Sequence, residues 1–114
     1  MTKPKAAFVR INKDFLLVTS FIRGMIAMTD PDQDFIFNEV DISDLDLGKL
    51  IKEKLNESKE ISFEEFQAIF NSEKMKGLQK NLEEEMKKRY GYKNKKSIYK
   101  DMSFLSLEQE VSFI

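Results

Sequence analysis

Asp30, Asp32 and Asp34 stand at alternate positions, the spacing with which carboxylates open a calcium-binding loop. The match then fails. The sixth position of such a loop needs Gly for a sharp turn and here is Phe35. The twelfth needs a bidentate Glu and here is Asp41. The residues read instead as an acidic turn, and no metal or cofactor is expected. They open a longer run: Asp30, Asp32, Asp34, Glu39, Asp41, Asp44 and Asp46 lie between Arg23 and Lys49 with no basic residue among them. Dense carboxylates of this kind suit a basic partner, by steering it in and by mimicking phosphate charge.

Other chemistries are harder to build. The chain has no His and no Cys, so neither a Ser-His-Asp nor a Cys-His arrangement can exist. Thiolate metal sites and disulfides fall with them. A carboxylate pair could serve glycoside hydrolysis by residue type alone, but 114 residues leave little chain for a substrate cleft. There is no glycine-rich phosphate loop. The expectation is a binding protein and not an enzyme.

Opposite charge collects further along. From Lys74 to Lys100 there are ten Lys or Arg, and the only acids are Glu83, Glu84 and Glu85. Lys93 to Lys96, with Tyr90, Tyr92 and Tyr99, could in principle meet phosphates and stack on bases. A small nucleic-acid-binding regulator using residues 87–100 is therefore one alternative. A non-enzymatic scaffold subunit is another. Against the regulator, such a domain is usually basic overall, and this sequence has a pI near 5.6.

The elements that must position these residues follow from periodicity. Ala7 to Ile11 and Phe15 to Phe21 read as strands joined by an Asn12-Lys13-Asp14 turn. The second does not alternate, so both its faces should be covered. Met25 to Met28 should continue the sheet beyond Gly24, and Phe35 to Phe37 should add a short strand. From Ser43 the period changes. Leu47, Leu50, Ile51 and Leu55 fall on one helical face, which Ser58-Lys59-Glu60 should end. Ser62 to Glu65 matches a capping box before a stripe of Phe63, Phe66 and Phe70. Asn71-Ser72 offers the next cap. Met75, Leu78, Leu82 and Met86 mark a long helix, with Gly91 as its left-handed cap. Lys93 to Lys100 should be a short helix or turn. Residues 104–114 read as a β-hairpin with a polar tip at Glu108-Gln109-Glu110. The order implies an α+β fold: a single domain over residues 1–114, with a mostly antiparallel sheet from 6–40 and 103–114 and three to four helices between. No run approaches the ~20 apolar residues of a membrane span, and no secretory signal is legible. A soluble cytoplasmic protein without membrane contact is expected.

Several of these segments resemble the contact-dependent growth inhibition immunity proteins. The first are Phe8-Val9-Arg10-Ile11 and Phe15-Leu16-Leu17-Val18, then Ile61-Ser62-Phe63-Glu64-Glu65-Phe66. The closest likeness runs through Arg89-Tyr90-Gly91-Tyr92-Lys93 and Lys96-Ser97-Ile98-Tyr99-Lys100-Asp101-Met102 to the final hairpin. Where the family hairpin often turns on a glycine, this chain has Glu108-Gln109-Glu110. The resemblance spans most of the chain and its motifs are structural. It implies an antitoxin that neutralises the C-terminal domain of a cognate toxin, often a nuclease, as a monomer forming a one-to-one heterodimer. It implies no nucleic-acid partner. It also implies that an edge such as Val111 to Ile114 could receive a toxin strand by β-augmentation.

Overall fold

The computed structural model describes residues 5–109. Ten elements follow in order: β1 (Lys5–Ile11), β2 (Leu16–Arg23), β3 (Ala27–Thr29), β4 (Phe37–Asn38), α1 (Asp44–Glu57), β5 (Lys59–Glu60), α2 (Phe63–Phe70), α3 (Glu73–Tyr90), α4 (Lys95–Tyr99) and β6 (Ser103–Gln109). The α+β fold expected from the period changes is the one observed.

The β1–β2 turn is fixed by one side chain. Asn12 Oδ1 accepts from the backbone N–H of Asp14 at 2.8 Å and of Phe15 at 3.0 Å. The two strands then run antiparallel from Ile11↔Leu16 to Ala7↔Ser20. β6 joins the far side of β1, so the sheet order is β3-β2-β1-β6. β4 pairs antiparallel with the start of β2, and β5 pairs parallel with its end. The central strand β2 is thus hydrogen-bonded over its length and buried on both faces, as its unbroken apolar run requires.

Each face of β2 has its own cover. On one side Leu16 and Val18 join Ala7 and Val9 against the α1 stripe of Leu47, Leu50, Ile51 and Leu55. Further along that face Ile22 meets Ile61 and Phe66. On the other side Phe15 and Leu17 pack with Leu82 and Met86 of α3 and Ile98 of α4. The helices start as their side chains dictate. Ser43, Ser62, Ser72 and Asn94 each accept from the backbone N–H three residues on. Gly91 closes α3 at φ 73°, and its N–H donates to the Lys87 carbonyl at 2.9 Å.

Five expectations change. Residues 24–26 form a bend, so β3 is only Ala27–Thr29; Met25 and Ile26 project into solvent. The Phe35-Ile36-Phe37 strand shrinks to Phe37–Asn38, the two residues that pair with Leu17 and Leu16 of β2, although Phe35 and Phe37 turn inward onto the α3 core and Ile36 turns out. Ser58 ends α1, yet Lys59–Glu60 is a strand and not merely a break. The α2 stripe is real but only Phe66 is buried; Phe63 and Phe70 are half exposed. Finally, β6 runs unbroken through Glu108 and Gln109, which pair with Ala6 and Lys5. A turn at Glu108 is excluded, since that carboxylate instead reaches Arg23 at 2.9 Å. Val111 to Ile114 lie outside the described residues.

Candidate functional site

The acidic loop between β3 and β4 is held to the sheet by a side chain that imitates a strand. The Gln33 amide accepts from Ser20 N–H at 2.8 Å and donates to Ser20 C=O at 2.9 Å. It also donates to the Asp30 carbonyl at 2.9 Å. Asp30 N–H reaches the same Ser20 carbonyl at 3.0 Å, and Asp30 Oδ1 caps the Asp32 N–H at 2.9 Å. Pro31 is buried beneath. On one flank Lys54, itself buried, donates to the Asp34 carbonyl at 3.2 Å and pairs with Glu57 at 3.2 Å. On the other flank Lys74 of α3 meets Asp32 at 2.7 Å. That hydrogen bond, with the lysine charge behind it, holds the Asp32 carboxyl below its ordinary range. The pair is exposed, so it contributes little to stability.

Asp34 crowns a ridge between two grooves. One, of about 390 Å³, lies against α3 and includes Asp32, Phe35, Lys74, Leu78 and Arg89. The other, of about 370 Å³, lies against α1 and includes Ile36, Leu50, Glu53 and Glu57. Asp32 and Asp34 are exposed and Asp30 is half-buried. Glu39, Asp41, Asp44 and Asp46 are exposed as well. The seven carboxylates do not converge. Asp44 and Asp46 occupy the first turn of α1, where Ser43 accepts from Asp46 N–H at 3.2 Å. Lys54, which touches Asp34, is near the other end of that helix. At 1.5 Å per residue the two acidic groups are roughly 12–15 Å apart along it. That exceeds a Debye length of about 8 Å at physiological ionic strength. The run is thus an extended band along α1 and not one focus of charge. Among the described residues no group of three or more His, Cys, Asp or Glu is placed to hold a metal ion.

The basic region is built differently. Its tyrosines are engaged internally. Tyr90 stacks on Phe15 with ring centroids 5.0 Å apart. Tyr92 donates to Asp14 at 2.5 Å and accepts from Asn12 at 2.8 Å. Tyr99 donates to Glu83 at 3.3 Å and accepts from Gln79. Lys95 faces Glu83 at 3.8 Å. The three tyrosines are thereby tied into the fold, Tyr90 through its ring and Tyr92 and Tyr99 through their hydroxyls. Burial and the Asp14 bond push the Tyr92 phenol from 10.0 up to about 12. The folded protein keeps that proton where the unfolded chain releases it. Stability is therefore expected to fall as pH rises from about 10 to about 12. Thermal unfolding across this range should show the fall, and Tyr92→Phe should reduce it.

Two features here escaped sequence reasoning: the buried Lys54 and the strand-like Gln33. The only signal for Lys54 was its place one residue before the apolar Leu55, on the α1 face turned toward the sheet.

Known proteins place the fold. A protein of unknown function from Neisseria meningitidis superposes with a TM-score of 0.82 at 18% identity over 93% of this chain. A chain of the CdiA-CT/CdiI toxin and immunity complex from Yersinia pseudotuberculosis gives 0.79 at 23% identity over 96%. This chain spans 66% of the Neisseria chain and 70% of the Yersinia chain. At these identities the likeness establishes shared architecture. No curated protein matches. Among the described residues no helix is long and apolar enough to cross a membrane. The sequence profile of the family described as CDI immunity protein matches residues 5–114, so the chain belongs to the CDI immunity protein family.

Proposed function

We propose that this protein binds one copy of a cognate CDI toxin domain in the cytoplasm and neutralises it, without catalysis of its own. Family membership over residues 5–114 carries the reading. The Yersinia structure, which contains a toxin together with its immunity protein, is consistent with a one-to-one complex. The toxin is inferred to be a nuclease. Such a domain is basic where it meets nucleic acid, and the Asp30–Asp34 ridge offers it a fixed acidic surface. Lack of His and Cys in the whole chain supports inhibition by contact alone.

The experiment uses the cognate toxin domain, to be sought in the gene directly upstream. Wild-type protein should bind it one-to-one and abolish its nuclease activity. Reversing Asp30, Asp32 and Asp34 to Lys should slow association about tenfold or more at low salt and flatten its salt dependence. A folded triple variant with unchanged association would leave the ridge as solvated surface. Asp44→Asn and Asp46→Asn should behave otherwise. They remove charges that complement the α1 dipole, costing about 0.3–1 kcal/mol each in chemical denaturation while leaving association nearly intact.

A further inference from the structure

The two faces of the sheet are unequally covered. α1 and α2 lie over the face that carries Leu16, Val18 and Ile22. On the opposite face α3 and α4 cover Phe15 and Leu17. Beyond them Phe8, Phe21 and Phe104 form an aromatic row. Phe8 lies 5.6 Å from Phe21 and 5.7 Å from Phe104, centroid to centroid. Phe104 is 52% exposed on the outer strand β6.

Arg10 stands beside this row, opposite Phe104 in the β1–β6 register. Its guanidinium lies 5.3 Å from the Phe8 ring centroid. Its Nη1 is buried with no hydrogen-bond partner among the described residues. Arg23, two positions past Phe21 on the same face, shows the ordinary solution, with Glu108 2.9 Å away. Among the described residues nothing comparable neutralises Arg10. Burial lowers its pKa, with Tyr99 opposing, yet an arginine does not lose its proton in a protein. A buried donor without an acceptor carries a desolvation cost, which the Phe8 ring offsets only in part. An apolar side chain would serve the free fold better.

We infer that this face is a second contact surface for the toxin, and that Arg10 there takes a carboxylate presented on an apolar segment of the toxin. The inference rests on the proposed function. Charge complementarity selects the occupant: among the described residues Arg10 has no anion beside it, and the rings around it need apolar contact. Phe104 is half in solvent, so a small rotation of its ring and of the arginine's terminal torsions brings the fork outward. An unpaired donor is then exchanged for a two-point carboxylate pair. An arginine walled by aromatic rings is the usual composition of a binding hot spot. The acidic ridge governs approach, whereas a desolvated pair of this kind governs dissociation.

The test compares Arg10→Met, Arg10→Lys and Phe104→Ala with wild type, using the same toxin domain. Arg10→Met should unfold at the same or a higher temperature, yet bind about tenfold or more weakly, mostly through faster dissociation. Arg10→Lys should be intermediate, since an ammonium cannot form the fork. Phe104→Ala should weaken binding with the fold intact. Replacing toxin Asp and Glu residues one at a time by amides should find one whose loss weakens wild type but not Arg10→Met. Unchanged affinity of Arg10→Met overturns the inference and leaves the proposed function standing. If Arg10→Met proves unfolded, unchanged affinity of Phe104→Ala overturns it equally. Arg10-dependent binding of a single-stranded RNA oligonucleotide would also overturn it, by making the rings a base-stacking surface. Failure of wild type to bind the toxin removes the proposed function and the inference together.

Discussion

Replacing Ser58 by alanine is expected to destabilise the fold by about 2–4 kcal/mol, out of all proportion to the single oxygen removed. The reason lies in what that oxygen joins. The β1–β2 register ends at Ala7↔Ser20. The next pair would be Ala6 with Phe21, and the Ser58 hydroxyl stands between them. It accepts from Ala6 N–H at 3.0 Å and donates to Phe21 C=O at 2.7 Å. Ser58 is 4% exposed, so water has little access to take over. Alanine would leave a backbone donor and a backbone acceptor buried and unpaired, each costing about 1–3 kcal/mol. Tm should fall on the order of 10 °C. Amide exchange should quicken at Ala6 more than at Val9. A Tm within a degree or two of wild type would mean that the two strands close directly once the hydroxyl is gone.

Gly24→Ala should be comparably damaging for a steric reason. A Cβ at that position would lie 2.4 Å from Phe66 Cδ2 and 2.8 Å from its Cβ and Cγ. These are not the far end of a flexible chain, so either α2 or the β2–β3 bend must move. Such overpacking costs about 1–3 kcal/mol and sometimes more. Gly24 has no positive φ, so the cost comes from contact and not from backbone conformation. Two comparisons isolate it. Gly24→Ala combined with Phe66→Leu should cost less than the two changes summed. Gly48→Ala, in an α1 position with nothing within 4 Å of the new methyl, should instead stabilise by up to about 1 kcal/mol. Denaturant unfolding reads all three. Equal behaviour of Gly24→Ala and Gly48→Ala would contradict the contact argument.

Local signals carried most of the architecture. The α1 stripe, the Ser62 and Ser72 caps and the Gly91 stop depend on residues within a turn of one another, and the sequence displays them. What it hides depends on distant partners. Lys59–Glu60 is polar and only two residues long, and it is a strand because the end of β2 offers unpaired backbone beside it. Glu108 looks like turn chemistry, but Arg23 gives it a cross-strand partner. The acidic run is plain in the sequence as composition. Its division into a clamped ridge at Asp30–Asp34 and a helix-start pair at Asp44 and Asp46 is not, because Gln33 and Lys54 impose it from positions without any motif. Arg10 reads as an ordinary strand residue until the strands beside it leave its Nη1 without an acceptor among the described residues.

The pairing of β1 with β6 has a kinetic consequence. Lys5 is matched to Gln109 and Ile11 to Ser103, so this ladder closes over nearly the whole described chain. Contacts so distant in sequence are slow to form, because the loop must be closed before the ladder rewards it. On the ribosome β1 emerges first and β6 among the last of the described residues. For that interval β1 can zip to β2 while its other side waits with a row of open backbone groups. A stalled or truncated chain is left in that condition permanently, with a bare edge on which other strands can aggregate.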